Sequence, residues 1–500
     1  MPVAIAAANQ HAADAGGAVA AVGGNAVDAA AAAALAAALT EPGVCSLAGG
    51  AFVTLETADT DPLTIDGYLE MPGRGLDADE FGQAGERVWM DYGGGMETIV
   101  GAGSVATPGG LKAIAEAVGR YGSLPWSEVL APTIQLARDG FPLSSASGSY
   151  LVFAGEPIYG KDPRSRAVLF DENRVKGAGD SVVLADLASF LEALADEGVD
   201  LFYRGEAGAL VSDHVRGLGG ILTRTDLSDY ETVWRKPLVT NVHGRMVATN
   251  PGPAVGGAAL TAVLELSKGW VDGGFTAEAA GRFAAAQEAV FAYRRDNLAH
   301  ADVPDVGELL RRARTGDVRA LGTSPSTVHV STADTDGNAV AITFSAGYGS
   351  GIMPPGTGLW LNNSLGEIEL NAAGFHHLAP GTRLTSNMAP TVVRGEHTVM
   401  AIGSPGADRI TSAIAATLLA HLDAGMGLEQ SIEHPRLHVE LTEDGPQVAL
   451  EDGMPYDGPL PVRRFDEPHM FFGGVSAAES TPDGAIAASD PRRGGGVVIV

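Results

Sequence analysis

One cysteine, Cys45, stands in a chain of 500 residues, so neither an intrachain disulfide nor a Cys-rich zinc site can form, and the thiol is expected to serve as a small buried hydrophobe. Basic residues are also scarce. Lys and Arg number 32 against 61 Asp and Glu, a formal net charge of −29, and a field of that sign excludes nucleic acid and anionic membrane surfaces as partners. No Lys or Arg precedes Arg74, so the basic start of a secretory signal is missing and the cytoplasm is the expected compartment. Long apolar runs are absent too: Ala29 to Leu39 is nearly all alanine and falls short of the roughly 20 residues that cross a bilayer. Charged residues at 19% and hydrophobic ones at 45% still leave ample area for a core, which excludes disorder. The length allows three domains of about 150 residues or one large layered α/β fold.

Common catalytic signatures are missing as well. There is no Walker A loop, no G-x-S-x-G elbow and no H-E-x-x-H helix. Gly347 to Gly351 lacks the strand-to-helix context of a phosphate cradle and reads as a loop. His434 and His438 have no third ligand beside them, and Pro435 argues against a regular helix, so surface or capping roles are expected and no metal site is assigned.

What is present has a clear order. Gly23 to Asp28 introduces an alanine helix over 29–39, stopped by Thr40-Glu41-Pro42-Gly43. Ala51–Leu55 and Leu63–Ile65 pattern as a strand pair, and 108–121, 126–138 and 184–197 as helices. Residues 150–180, rich in turn formers and charge, read as a surface excursion. Val328–Ala333 and Ala339–Phe344 alternate in period two around Asp334-Thr335-Asp336-Gly337-Asn338, a hairpin whose acidic and amide groups make an Asx-type turn. Thr398–Ile402, Gly403-Ser404-Pro405-Gly406 and a helix from about Asp408 form a strand-turn-helix unit. A sheet-rich last third packing on a helix-rich first two thirds implies an α/β or α+β layered fold.

The chemistry concentrates at Pro325-Ser326-Thr327-Val328-His329, where a hydroxyl residue opens a strand. Thr327 can attack the Ser326 carbonyl, and hydrolysis of the resulting ester leaves Thr327 as a new N-terminus. Its α-amine, with a reference pKa near 8, can then deprotonate its own hydroxyl. Nucleophile and base share one residue. His329 lies on one face of the strand, where a satisfied core histidine is the plain expectation.

These segments resemble the γ-glutamyltransferase family. The resemblance rests on Thr327, His329 and Asp334 to Val340, on Gly23 to Ala29 with Glu41-Pro42 and Gly49 to Phe52, and on Ser104 to Gly109 with Tyr121-Gly122 and Ala137 to Phe141. It continues through Leu361-Asn362-Asn363, Ser386 to Thr391, Gly403 to Gly406 and Ser489 to Arg492, covering nearly the whole chain in order. It implies a four-layer αββα N-terminal-nucleophile sandwich, self-cleaved into residues 1–326 and 327–500, the two portions together forming one domain. No cofactor is implied.

The resemblance also implies site roles. Thr327 is the nucleophile, and Ser345 stands where the family has a second Thr that hydrogen-bonds the nucleophile's amine. Gly406 and Ala407 occupy the position of a Gly-Gly pair whose amides hold the oxyanion, a function that survives the alanine if its φ stays negative. Glu367 matches the acidic residue that takes the α-amino end of a γ-glutamyl group, and Ser386-Asn387 matches the Ser pair that takes its carboxylate. The family's carboxylate-binding Arg is replaced by Leu69, leaving Arg74 as the nearest cation. The expected activity is a γ-glutamyl hydrolase or transpeptidase with small amide donors and water or an amine as acceptor. A glutaryl or β-lactam side-chain amidohydrolase and an uncut, silent binding protein are the alternatives.

Overall fold

The computed structural model describes residues 2–91, 95–298, 305–315, 327–371 and 373–500. Ser326, the acyl side of the expected cut, lies outside them. Among the described residues, two central sheets are built from β1 (Val3–Ala7), β2 (Gly50–Thr57), β3 (Thr60–Gly67), β4 (Val233–Arg235), β5 (Leu238–Val242) and β6 (Arg245–Thr249), followed by β7 (Val328–Asp334), β8 (Ala339–Ser345), β9 (Thr391–Arg394), β10 (Val399–Gly403), β11 (Ser476–Thr481), β12 (Gly484–Ser489) and β13 (Gly496–Ile499). The first sheet runs β4-β3-β2-β8-β7-β1-β13 and the second β5-β6-β9-β10-β11-β12. Each neighbouring pair is antiparallel. The expected split into a helical front and a sheet-rich back is thereby corrected. Strands near the N-terminus flank the β7–β8 hairpin, because antiparallel edges at β1 and β2 satisfy its backbone groups.

Six helices frame the sheets: α1 (Gln10–Ala21), α2 (Ala26–Thr40), α3 (Gly110–Tyr121), α4 (Trp126–Asp139), α5 (Gly256–Ser267) and α6 (Arg409–Leu418). The first three lie on the first sheet, with α4 packed on α1 and α2, and the last two lie on the second, while β7 and β8 pack on β10 and β11 across the middle. This is the expected αββα order of layers. Every residue of α2 is buried, and its alanines let α1, α4 and the sheet close around it. Asn25 starts it, accepting from the Val27 and Asp28 amides while Asp28 accepts back from the Asn25 amide. The large apolar clusters lie between helices and sheets. Between the two sheets the contacts are small: Ala248, Ala339, Ala341, Val392 and Ala401 in one group, Ala4, Ala333 and Ala478 in another.

Of the expected surface excursion over 150–180, residues 171–180 lie at the surface with none buried, whereas 150–170 pack into the core. Helices Ser145–Ala154 and Pro163–Leu169 bury Tyr150, Leu151, Tyr159 and Leu169, and the Tyr150 and Tyr159 hydroxyls donate to the Tyr348 carbonyl at 3.0 and 3.2 Å. Each of these helices is capped by a polar side chain: Ser144 accepts from the Ser147 amide and Asp162 from the Arg164 and Ser165 amides. No helix among the described residues is long and apolar enough to cross a membrane.

Candidate active site

The β7–β8 hairpin fixes the first element of the site. Asp334 turns it, its Oδ1 accepting from the Asp336 and Asn338 amides and its Oδ2 from the Asn338 side chain and, across the layers, the Ala26 amide at the start of α2. Six residues back, the ladder pairs Val328 with Phe344, so the antiparallel register sets Thr327 opposite Ser345. Both are buried, at 5% and 4% exposure. Ser345 Oγ accepts from the Gly347 amide at 3.3 Å. Thr327 lines a cleft of about 20 Å³, room for one water, with Glu41, His329, Pro405, Ser489, Asp490 and Arg493.

His329 is a core histidine. Its ring nitrogens hydrogen-bond Thr343 Oγ1 and Ser331 Oγ, each at 2.8 Å, and Ser331 passes on to the Ser476 carbonyl of β11. Burial pushes its pKa down to about 3, so the ring is neutral. It lies flat against Gly403, where a methyl would meet the ring at 2.2 Å.

Beyond Gly403 the chain turns through Ser404-Pro405-Gly406-Ala407 into α6. Neither the Gly406 nor the Ala407 amide donates a hydrogen bond among the described residues, which leaves both available to an oxyanion. The condition set for Ala407 to keep the role of the family's second glycine, a negative φ, is not met: its φ is +58° beside +123° at Gly406, so the alanine adopts the left-handed backbone a glycine would. Left-handed backbone costs an alanine about 1–2 kcal/mol. The turn is held from the next residue. Asp408 pairs with Arg409 at 2.8 Å and with His438 Nε2 at 3.2 Å, and His438 Nδ1 meets Ser412 Oγ at 2.9 Å. Despite full burial, Arg409 first and then His438 hold the Asp408 carboxyl well below its usual pKa. His438 is fully buried and is therefore neither a surface nor a capping histidine, and His434 is half-buried, its Nδ1 near the Pro435 carbonyl. No group of three metal-binding side chains occurs among the described residues.

A second group of residues gathers on the β8 side. The Asn362-Asn363 pair is a scaffold. Asn362 joins Ala48 to Ala106, and Asn363 accepts from the Tyr348 amide while donating to Thr98 and the Ile99 carbonyl. Four residues on, Glu367 is 4% exposed, and its Oε1 makes no hydrogen bond. Burial, and then the neighbouring Glu369, raise its pKa well above the usual carboxylate range. A methyl on Gly347 would reach Glu367 Oε1 at 3.0 Å, so the carboxylate abuts the loop that follows Ser345. Ser386 Oγ accepts from the Met388 amide at 3.2 Å, and Asn387 Oδ1 is buried without a partner.

Leu69 and Arg74 do not behave as a matched pair. Leu69 is fully buried with Phe52, Met71, Leu365, Leu384 and Met388. Arg74, expected as a stand-in cation, pairs with Glu70 at 3.0 Å and Asp226 at 3.3 Å. Asp226 also accepts from the Gly73 and Arg74 amides, so two carboxylates fix the guanidinium within its own loop and its assignment to substrate is withdrawn. The sequence reading missed Tyr68, a buried phenol beside Ser386 and within the field of Glu367 and Glu369, and Tyr348, whose hydroxyl donates to Glu369 at 3.0 Å. Tyr68 directly precedes Leu69, and Tyr348 follows Gly347, so adjacency to the matched positions was the available signal.

With this geometry in hand, the chain was compared with known proteins. The family model described as Gamma-glutamyltranspeptidase matches residues 12–500. The Acylase ACY 1 proenzyme of Pseudomonas sp. (strain SE83) is 30% identical over 528 residues, covering 98% of this chain and 91% of that protein. The Glutathione hydrolase proenzyme of Escherichia coli (strain K12) is 27% identical over 514 residues, covering 94% and 87%. In structure, the cephalosporin acylase from Bacillus halodurans superposes with a TM-score of 0.79 at 23% identity, covering 99% of this chain and 95% of that one, a likeness of fold.

Proposed function

Because this chain belongs to the gamma-glutamyltranspeptidase family, N-terminal-nucleophile amidohydrolases, we propose that it is a self-processing γ-glutamyl hydrolase or transpeptidase acting through Thr327. The observation that supports this reading best is the shared cleft of Thr327 and Pro405. It sets a strand-opening hydroxyl beside a turn with two undonated amides.

In processing, Thr327 Oγ adds to the Ser326 carbonyl, the peptide C–N bond breaks as the ester forms and frees the Thr327 α-amine, and water hydrolyses the ester to release the Ser326 carboxylate and regenerate the Thr327 hydroxyl. In turnover that amine takes the Thr327 hydroxyl proton as Oγ attacks the donor amide carbon. The Gly406 and Ala407 amides take the developing oxyanion, and Ser345 orients the α-amine. Collapse of the tetrahedral intermediate expels the donor's amine, which leaves with the proton the α-amine had taken. Water or an acceptor amine then attacks the acyl-enzyme and regenerates Thr327. Glu367 receives the donor's α-ammonium, whose charge offsets the unfavourable burial of the carboxylate.

Intact-mass analysis with N-terminal sequencing tests the reading. A fragment beginning at Thr327 is expected, together with release of p-nitroaniline from γ-glutamyl-p-nitroanilide by the cut protein. Thr327→Ala should stay one chain and release none. A wild-type chain that stays uncut and inactive would refute the proposal. Leu69, apolar where the family carries its carboxylate-binding Arg, favours a second reading as an acylase for glutaryl-type amides, and the glutaryl anilide in the same assay decides between them.

A further inference from the structure

Resting on the proposed self-processing reading, we infer that Glu41 is the base that starts the cut, taking the Thr327 hydroxyl proton while the α-amine is still bound in the peptide. The base of turnover does not exist in the uncut chain. A peptide nitrogen has its lone pair delocalised into the carbonyl, so a side chain has to accept the first proton. Thr327 shares its cleft of about 20 Å³ with Glu41, His329, Asp490 and Arg493. Asp490 is fully engaged: Oδ1 accepts from the Arg492 amide and guanidinium at 3.0 and 3.2 Å, and Oδ2 from the Val475 amide at 3.1 Å and Arg436 at 2.6 Å. The His329 ring, with both nitrogens hydrogen-bonded and its pKa down to about 3, is too weak a base. Arg493 has donors and no acceptor.

Glu41 keeps an acceptor position open. It ends α2, its amide donating to the Ala37 carbonyl, and it is 2% exposed. Oε2 accepts from the Ser144 and Ser147 hydroxyls at 2.6 and 2.8 Å and, among the described residues, Oε1 accepts only from Asn9 Nδ2 at 2.6 Å. A carboxylate offers about four such positions, so one remains on Oε1. Burial raises the Glu41 carboxyl above its usual pKa, against the pull of those three donors and of Arg493, which moves it toward the pH at which a base works best. The charged and titratable groups around it are Arg493, Asp490, His329 and the Cys45 thiol, which burial keeps protonated. The proton passes from Thr327 Oγ to Glu41 through one water, for which the cleft has room. Oγ adds to the Ser326 carbonyl carbon, the C–N bond breaks, and Glu41 gives the proton to the departing nitrogen. That nitrogen becomes the α-amine, and Glu41 is again a carboxylate.

The test follows self-cleavage from its start, with the full chain made by cell-free translation and sampled over time by intact mass, and Thr327→Ala as the uncut control. The wild-type rate is expected to rise with pH as the Glu41 carboxyl loses its proton and then to level. Glu41→Gln should cut at least about a hundredfold more slowly, with no such rise. Formate, a small carboxylate, should restore cutting to Glu41→Ala where chloride at the same ionic strength does not, an outcome that a purely structural role for Glu41 would not produce. Glu41→Gln cutting as fast as the wild type, or a wild-type rate that does not change with pH on the acid side, would overturn the inference, and a cut before Thr327 would still leave the amidohydrolase reading standing. A wild-type chain that never cuts would remove that reading and the inference with it. The wild-type pH profile decides even if neither Glu41 variant folds.

Discussion

Replacing Arg492 with methionine is expected to lower the melting temperature by several degrees without any change in apolar packing volume large enough to explain it. The Arg492 side chain is 1% exposed and donates to Glu451 at 2.5 and 2.7 Å, to Asp490 at 3.2 Å, and to the Ile432 and His434 carbonyls at 3.1 and 3.0 Å. Arg436 completes the buried group, pairing with Asp490 at 2.6 Å. Removing one partner of such a group strands a carboxylate in a medium that cannot solvate it, a loss of about 3–5 kcal/mol. A chain of this length unfolds with an entropy near 1 kcal/mol/K, so the expected drop is about 3–5 °C. Thermal scans at one fixed rate measure it. The double variant Arg492→Met, Glu451→Gln removes the stranded charge and keeps an acceptor oxygen for one of the Arg436 and His469 amides, which Glu451 takes on separate oxygens, so it should recover part of the loss. A single variant melting within about 1 °C of the wild type, or a double variant melting below the single, would refute the stranded-charge argument.

Two further outcomes follow from the site. Ala407→Gly should raise the unfolding free energy obtained from urea titration by about 0.5–1 kcal/mol, since relief of left-handed strain of about 1–2 kcal/mol exceeds the added backbone entropy of glycine; kcat should be unchanged, and a tenfold fall would show that the methyl positions the turn. His329 predicts a pH dependence. Its pKa is about 3 when folded against 6.5 ordinarily, so the unfolded chain binds the proton first; the stability gained by a neutral ring is whole above about pH 6.5 and lost as pH falls toward about 3. His329→Gln should flatten that acid limb, by up to roughly 5 kcal/mol, in urea titrations at a series of pH values.

The hairpin around Asp334, the alanine helix and the turn before α6 were legible because each is written in neighbouring residues: period-two alternation, a cap, a glycine. The sheet order was not, since β1 and β13 meet at opposite chain ends and nothing local records that pairing. The same reason hid the burial of residues 150–170, where Asp162 caps a helix. At the site, Thr327 and Glu367 could be read from motif position alone. The engagement of Arg74 required Asp226, which is 152 residues away, and the φ of Ala407 is set by Asp408 and the packing of α6.

The contact between His329 and Gly403 carries a consequence for how this site keeps its dimensions. A flat aromatic ring rests on a bare α-carbon, and the partners are anchored in the two sheets, one in the strand that follows Thr327 and the other where the Ser404–Ala407 turn departs. The pair works as a hard stop. Under the proposed function, its thickness sets the spacing between Thr327 at one sheet and the Gly406–Ala407 turn at the other, at a wall of the cleft that Thr327 and His329 share. A side chain at residue 403, or a bulkier ring at 329, would change that gauge for every donor alike, so the tolerance of the reaction is machined into two positions that can vary only together.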